Sequence, residues 1–186
     1  VVHNKFTTIG ATYTKAISGF GNLDADFDKW KVYFSDLWSL KLLGKLQINA
    51  SMGGFLNDKI VHFSDYNHFN GNQTFLATGY NQSFQLAPYY RYSNTAELYG
   101  RLHLEWQMGG WLSNKIPLFR QLNWHFVTGT NSFYIDKDNY YAEAYFGVDN
   151  IGVKMFRFLR VDAILGYESM VAKPTFGMRI GVKMNG

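Results

Sequence analysis

Apolar and polar side chains alternate residue by residue in runs that recur about eight times, while a helical period is weak everywhere. Residues 96–110 show it most clearly. Glu97, Tyr99, Arg101, His103, Glu105 and Gln107 fall on one parity, and Leu98, Leu102, Leu104, Trp106 and Met108 on the other. Successive side chains of a strand point to opposite faces, so this run predicts a strand with one apolar face and one ionisable face. Similar runs predict strands near 6–17, 27–38, 45–52, 122–134, 140–149, 157–168 and 174–184. In the sixth, Tyr140, Ala142, Ala144, Phe146 and Val148 alternate with Tyr141, Glu143, Tyr145, Gly147 and Asp149.

Two stretches break the pattern. Residues 55–87 hold Asn, Asp, Gly, Gln and aromatics without alternation, a length that usually marks a functional loop or lid. Residues 111–121 contain Pro117 and form a shorter interruption. The predicted fourth strand is entered through Tyr89, Tyr90 and Tyr92.

A soluble sandwich or lipocalin-like binding protein would bury the apolar parity, whereas a membrane barrel would turn it to lipid. Runs of about ten residues match a tilted membrane strand better than the five or six usual in soluble proteins. The polar parity mixes Arg, Asp, Glu, His, Asn, Thr, Tyr and Gly, as a hydrogen-bonded lumen does. Trp30, Trp111, Trp124, Tyr89, Tyr90 and Tyr140 fall near the expected strand ends, where aromatic girdles sit. The sequence therefore predicts an all-β, antiparallel transmembrane β-barrel region with outer-membrane lipid as its partner.

Composition changes this picture little. An excess of 18 Lys+Arg over 14 Asp+Glu is small and scattered, which argues against nucleic acid. Cysteine is absent, so disulfides and thiolate chemistry are excluded. No run of apolar residues is long enough for a membrane helix, and Val1 is not preceded by a leader in the sequence as it stands.

Candidate chemistry is sparse. His62, Asp65 and His68 are ordinary metal-ligand types, but their spacing matches no strong metal pattern, and no cofactor is expected. His103 and Glu105 share a face, with Ser113 nearby, which raises a small outer-membrane hydrolase as an alternative. The plainer expectation is structural. Glu97, Arg101, Glu105, Arg160, Asp162, Glu168, Arg179 and Lys183 would neutralise one another across a lumen.

The segment Asp65-Tyr66-Asn67-His68-Phe69-Asn70-Gly71-Asn72-Gln73-Thr74-Phe75 resembles a loop of an uncharacterised family of large outer-membrane barrels. Residues 84–90, 112–118 and 158–162 are similar to the same family, whose members often carry an N-terminal carboxypeptidase-regulatory-like domain. That family is distantly similar to the BamA/TamA superfamily, in which a long loop enters the lumen and five strands follow. The resemblance implies that these eight strands are the C-terminal half of a barrel of about sixteen, with the rest upstream of Val1. A closed barrel of eight strands is the alternative. It also implies contact between a loop tip at Asn70, Gly71 and Asn72 and the motif Gly147-Val148-Asp149, although Asn stands where the superfamily has an Arg. The implied role is transport, assembly or surface presentation at the cell outer membrane, with other envelope proteins as partners.

Overall fold

A computed structural model of the chain describes residues 6–19, 24–72, 74–76, 82–153, 156–171 and 173–182. Eight strands follow one another: β1 (Thr8–Ala16), β2 (Asp26–Ser39), β3 (Gly44–Ile60), β4 (Tyr99–Met108), β5 (His125–Tyr134), β6 (Tyr140–Val153), β7 (Phe156–Glu168) and β8 (Lys173–Val182). Each pairs antiparallel with its neighbour in sequence, so the sheet order is β1 to β8 with no crossover. Two short helices, α1 (Gly110–Ser113) and α2 (Pro117–Leu122), separate β4 from β5. Pro117 opens α2, where its missing N–H costs nothing, and Asn123 ends it in a left-handed conformation at φ 56°. No helix among the described residues is long and apolar enough to cross a membrane, which says nothing about strands.

The sheet stays open. Among the described residues β1 and β8 do not pair with each other, so the alternative of a closed eight-stranded barrel is not what the chain forms here; it is one antiparallel sheet with two edges. Three boundaries also differ from expectation. β3 runs on past Gly53-Gly54 to Ile60, because Gly54 lets the Glu97 carbonyl lie against the strand where any Cβ would collide. The long connection is therefore 61–98, and β4 begins at Tyr99 instead of at the Tyr89–Tyr92 cluster. β5 begins at His125, since the Pro117 helix takes up Leu122 and the Trp124 N–H bonds back to Phe119.

The two faces of the sheet are sharply different. From Tyr141 to Asp149 and from Arg160 to Glu168 every second residue is buried and those between are exposed or half-buried, and the buried set is the polar parity. Arg160, Asp162 and Arg179 are wholly inaccessible, while Phe176, Ile9 and Leu165 on the opposite face are 74%, 72% and 54% exposed. On that apolar face β5 carries Thr128 and Thr130, yet their hydroxyls donate to the backbone carbonyls of Tyr145 and Glu143 at 2.9 Å. They need no water.

Glycines on the polar face make room for tyrosines. Gly10 lies under the Tyr33 ring, and Gly129 lies under Tyr145, whose hydroxyl oxygen would be 2.4 Å from a Cβ at 129. That Cβ would also sit 2.3 Å from the Leu104 carbonyl, which cannot yield. Gly129→Ala is expected to destabilise the sheet by about 1–3 kcal/mol, the usual cost of overpacking. Denaturant unfolding followed by tryptophan fluorescence measures it; unchanged stability would show that Tyr145 does not need the gap.

Candidate functional site

Register fixes which polar side chains meet on the inner face, meaning the polar face. Glu105 on β4 is aligned with Gly129 on β5, and Gly129 with Tyr145 on β6. Tyr145 reaches across the glycine and donates to Glu105 Oε2 at 3.2 Å. In the adjoining row Gly147 is aligned with Asp162, and Asp162 with Arg179. Gly147 is needed there, because a Cβ would lie 1.9 Å from Asp162 Oδ1.

These rows assemble a buried ionic group. Arg160 donates to Glu105 at 2.8 Å and to both Asp162 oxygens at 2.9 and 3.0 Å. Arg179 donates to Asp162 Oδ2 from Nε at 2.8 Å, and its Nη2 lies 2.6 Å from the same oxygen as an ion pair. The Tyr145 ring lies against both guanidinium groups, with its centroid 4.7 Å from Arg179 Cζ and 5.6 Å from Arg160 Cζ. Two cations thus face two anions with an aromatic face between them. Burial makes each partner indispensable to the others.

The connection 61–98 lies against the same inner face, and Glu143 of β6 is its anchor. Glu143 is 1% exposed, and its oxygens accept from the backbone N–H groups of Gln85 (2.9 and 3.0 Å) and Leu86 (3.1 Å). They also accept from Asn131 Nδ2 at 2.7 Å and the Tyr141 hydroxyl at 2.7 Å. A loop with few ladder bonds of its own must satisfy its N–H groups elsewhere, and one carboxylate serves two of them. Loop aromatics complete the attachment. Phe69 stacks on Phe133 at 4.1 Å, and Phe84 and Tyr92 meet the same ring edge-on. At the rim Arg91 pairs with Glu168 at 2.6 Å, and Tyr92 donates to it at 3.0 Å. Burial, with this hydrogen bond, pushes the Tyr92 phenol up to about 12, so it stays a donor at neutral pH. Finally, Phe75 accepts from the Ile180 N–H at 2.7 Å, placing loop backbone along β8.

The expected site residues meet only in part. Glu105, Arg160 and Asp162 come together as described, with Arg179. Arg101 stands apart, with its Nε donating to Ser51 at 3.2 Å. Asn70, Gly71 and Asn72 hold the loop to itself. The Asn70 carbonyl accepts from Phe84, Gly71 is bridged to Phe84, and Asn72 bonds Leu76, Gln85 and Thr74. Asp149 lies six residues along β6 from Glu143, roughly 20 Å at strand rise. It sits opposite His125 and accepts from the Asn150 N–H at 2.7 Å. Lys183 lies outside the described residues.

The His103–Glu105–Ser113 relay does not form. His103 Nδ1 bonds Asn131 at 2.9 Å, Glu105 is taken by Arg160, Tyr145 and Gln107, and Ser113 Oγ has no hydrogen-bond partner among the described residues. His68 bonds Ser93, and Asp65 offers its carbonyl to Lys29. No group of three or more His, Asp or Glu able to hold a metal occurs among the described residues. Sequence reasoning passed over Glu143 and Asn131. The signal for Glu143 was its place between two tyrosines on the polar parity, beside a long loop needing acceptors.

A continuous antiparallel sheet with one charged, loop-covered face and one uncovered apolar face is the class of protein these features define. Residues 1–148 match the family described as the DUF5686 C-terminal domain, a family of unknown function, and the chain belongs to it. No curated protein and no solved structure matches the chain.

Two outcomes follow from the anchor and the ionic group. Glu143→Ala should free the loop, so that limited proteolysis cuts within 61–98 at least tenfold faster while the sheet persists; Asp149→Ala should leave that rate near the parent's. Equal rates in all three chains would remove Glu143 as the anchor. Arg160→Met leaves two buried carboxylates short of a partner and should lower stability by about 3–5 kcal/mol in denaturant titration.

Proposed function

We propose that the chain is wall and lumen loop of an outer-membrane β-barrel serving transport, assembly or surface presentation. What carries this is inverted burial: the charges are inside and the large apolar side chains are on the accessible face. An exposed apolar surface spread across a whole sheet is foreign to a monomer in water and ordinary in a bilayer. The Thr128 and Thr130 hydroxyls, satisfied by neighbouring carbonyls, suit a surrounding that offers no hydrogen bonds. Strands of 9–17 residues are long enough to cross at a tilt.

In this arrangement lipid covers the apolar face, and the loop 61–98 narrows the lumen from its Glu143 anchor. The edges at β1 and β8 meet each other or further strands, because a bilayer leaves no backbone group unpaired. A loop held against the inner wall and followed by five strands also agrees with a distant likeness to BamA/TamA barrels.

Leu165→Arg tests the outer solvent. It should cost about 2–4 kcal/mol at mid-bilayer depth, against less than about 0.5 kcal/mol on a water-facing surface. Unfolding titrations of the refolded chain in lipid vesicles measure it. In planar bilayers the parent should conduct less than Glu143→Ala. A chain that is monodisperse in buffer without detergent, and indifferent to Leu165→Arg, would sink the membrane reading.

A further inference from the structure

The inner face is electrically uneven. From β4 to β8 its cations are matched by Glu105, Asp162 and Glu168. From β1 to β4 it carries Lys29, Lys31 and Arg101, and among the described residues none of these lies within 4 Å of a carboxylate. Every Asp and Glu of the chain lies within the described residues, so no undescribed side chain supplies the missing acid. Lys29 donates to the Asp65 carbonyl at 3.0 Å and lies over the Phe27 ring at 5.2 Å, and Arg101 donates to the Ser51 hydroxyl at 3.2 Å.

These cations line open space. One cavity of about 230 Å³ and another of about 350 Å³ both have Lys31 and Arg101 in their walls. Tyr33 lies over Gly10 and forms part of the wall of the smaller cavity. Gly53, the register partner of both Lys31 and Tyr99, places no side chain in it. Neutral donors complete the walls: Thr12 and Thr14 from β1 in the larger cavity and Ser51 from β3 in the smaller, while the Ser35 hydroxyl is taken by Asn49 Oδ1 at 2.7 Å. His103 borders the smaller cavity, is 4% exposed, and has a buried Nε2 with no hydrogen-bond partner among the described residues. Asn131 turns its Nδ2 to Glu143 and so its oxygen to His103, which puts the proton on His103 Nδ1 and leaves Nε2 an acceptor.

We propose that these two neighbouring cavities, which share Lys31 and Arg101, form an oxyanion-binding site for the phosphate group of a small dissolved molecule. Three cations without acids exceed what a singly charged carboxylate needs, and the Arg101 fork with hydroxyl donors fits tetrahedral oxygens. The His103 acceptor suits the P–OH of a monoprotonated phosphate. The combined space, of several hundred Å³, is of the size that takes a phosphate and a small body. The cavities open on the face opposite the apolar one, so a dissolved ligand fits them better than a lipid head group.

The test uses the full chain in neutral-detergent micelles, with inorganic phosphate as probe, by calorimetry and phosphorus NMR. Saturable binding at least tenfold tighter than that of acetate is expected. Arg101→Gln and Lys31→Glu should each weaken it at least tenfold. Lys31→Glu supplies the missing acid beside Arg101, so its melting temperature should equal or exceed the parent's, which separates a lost site from a lost fold. Absence of saturable binding by the parent, or parent-like binding by both variants, would overturn the site. Displacement of phosphate by phosphatidylglycerol would overturn the dissolved ligand. The site does not rest on the membrane reading: a chain soluble without detergent that still bound phosphate would refute that reading and leave this one intact.

Discussion

Arg160, Asp162 and Arg179 lie with no access to solvent on one face of a single-layer sheet, and Glu105 is nearly as enclosed. A charge so placed is tolerated only when its partners are in hydrogen-bond contact, because desolvation exceeds what a loose attraction returns. Much of the sheet's detail follows from that demand. Glycine at 129 lets Tyr145 cross to Glu105, glycine at 147 admits the Asp162 carboxylate, and the register of β6, β7 and β8 cannot slip without separating the four groups. Tyr145 fills the centre with an aromatic face that attracts both guanidinium groups and a hydroxyl that serves Glu105.

The loop obeys the same rule with backbone groups in place of charges. Residues 61–98 form few ladder bonds of their own, so their amides take partners from the wall. Glu143 supplies a double acceptor at the centre, while Glu168 receives Arg91 and Tyr92 at the rim. Stacking of Phe69 on Phe133, with Phe84 and Tyr92 at its edges, adds an apolar attachment where the ionic one ends. The loop is thus bound by two kinds of contact on adjacent rows of the same wall.

Polar face and apolar face answer to different surroundings. The inner one satisfies itself on the β4–β8 side and leaves cations and space on the β1–β4 side. Along the central part of the outer face even the threonine hydroxyls are turned to carbonyls, and the charges of that face, Lys15, Asp28 and Asp36, lie toward strand ends. The proposed barrel wall, with the loop in its lumen and the proposed anion site beside that loop, would bring these three properties into one arrangement.

The strands, their antiparallel order and the side each residue faces were legible in the sequence, because period-two alternation is local and repeated in every run. Membership of the ionic group was legible for Glu105, Arg160, Asp162 and Arg179, which all stand on the polar parity of their strands. The loop's anchor was not. Glu143 and Asp149 have the same parity on the same strand, and only register and the path of the chain after Ile60 place the first, not the second, beside Gln85 and Leu86. Nor did the pattern separate matched cations from unmatched ones. Arg101 and Arg160 read alike along the chain, and what divides them is distance across the sheet to a carboxylate, which no spacing along one strand records.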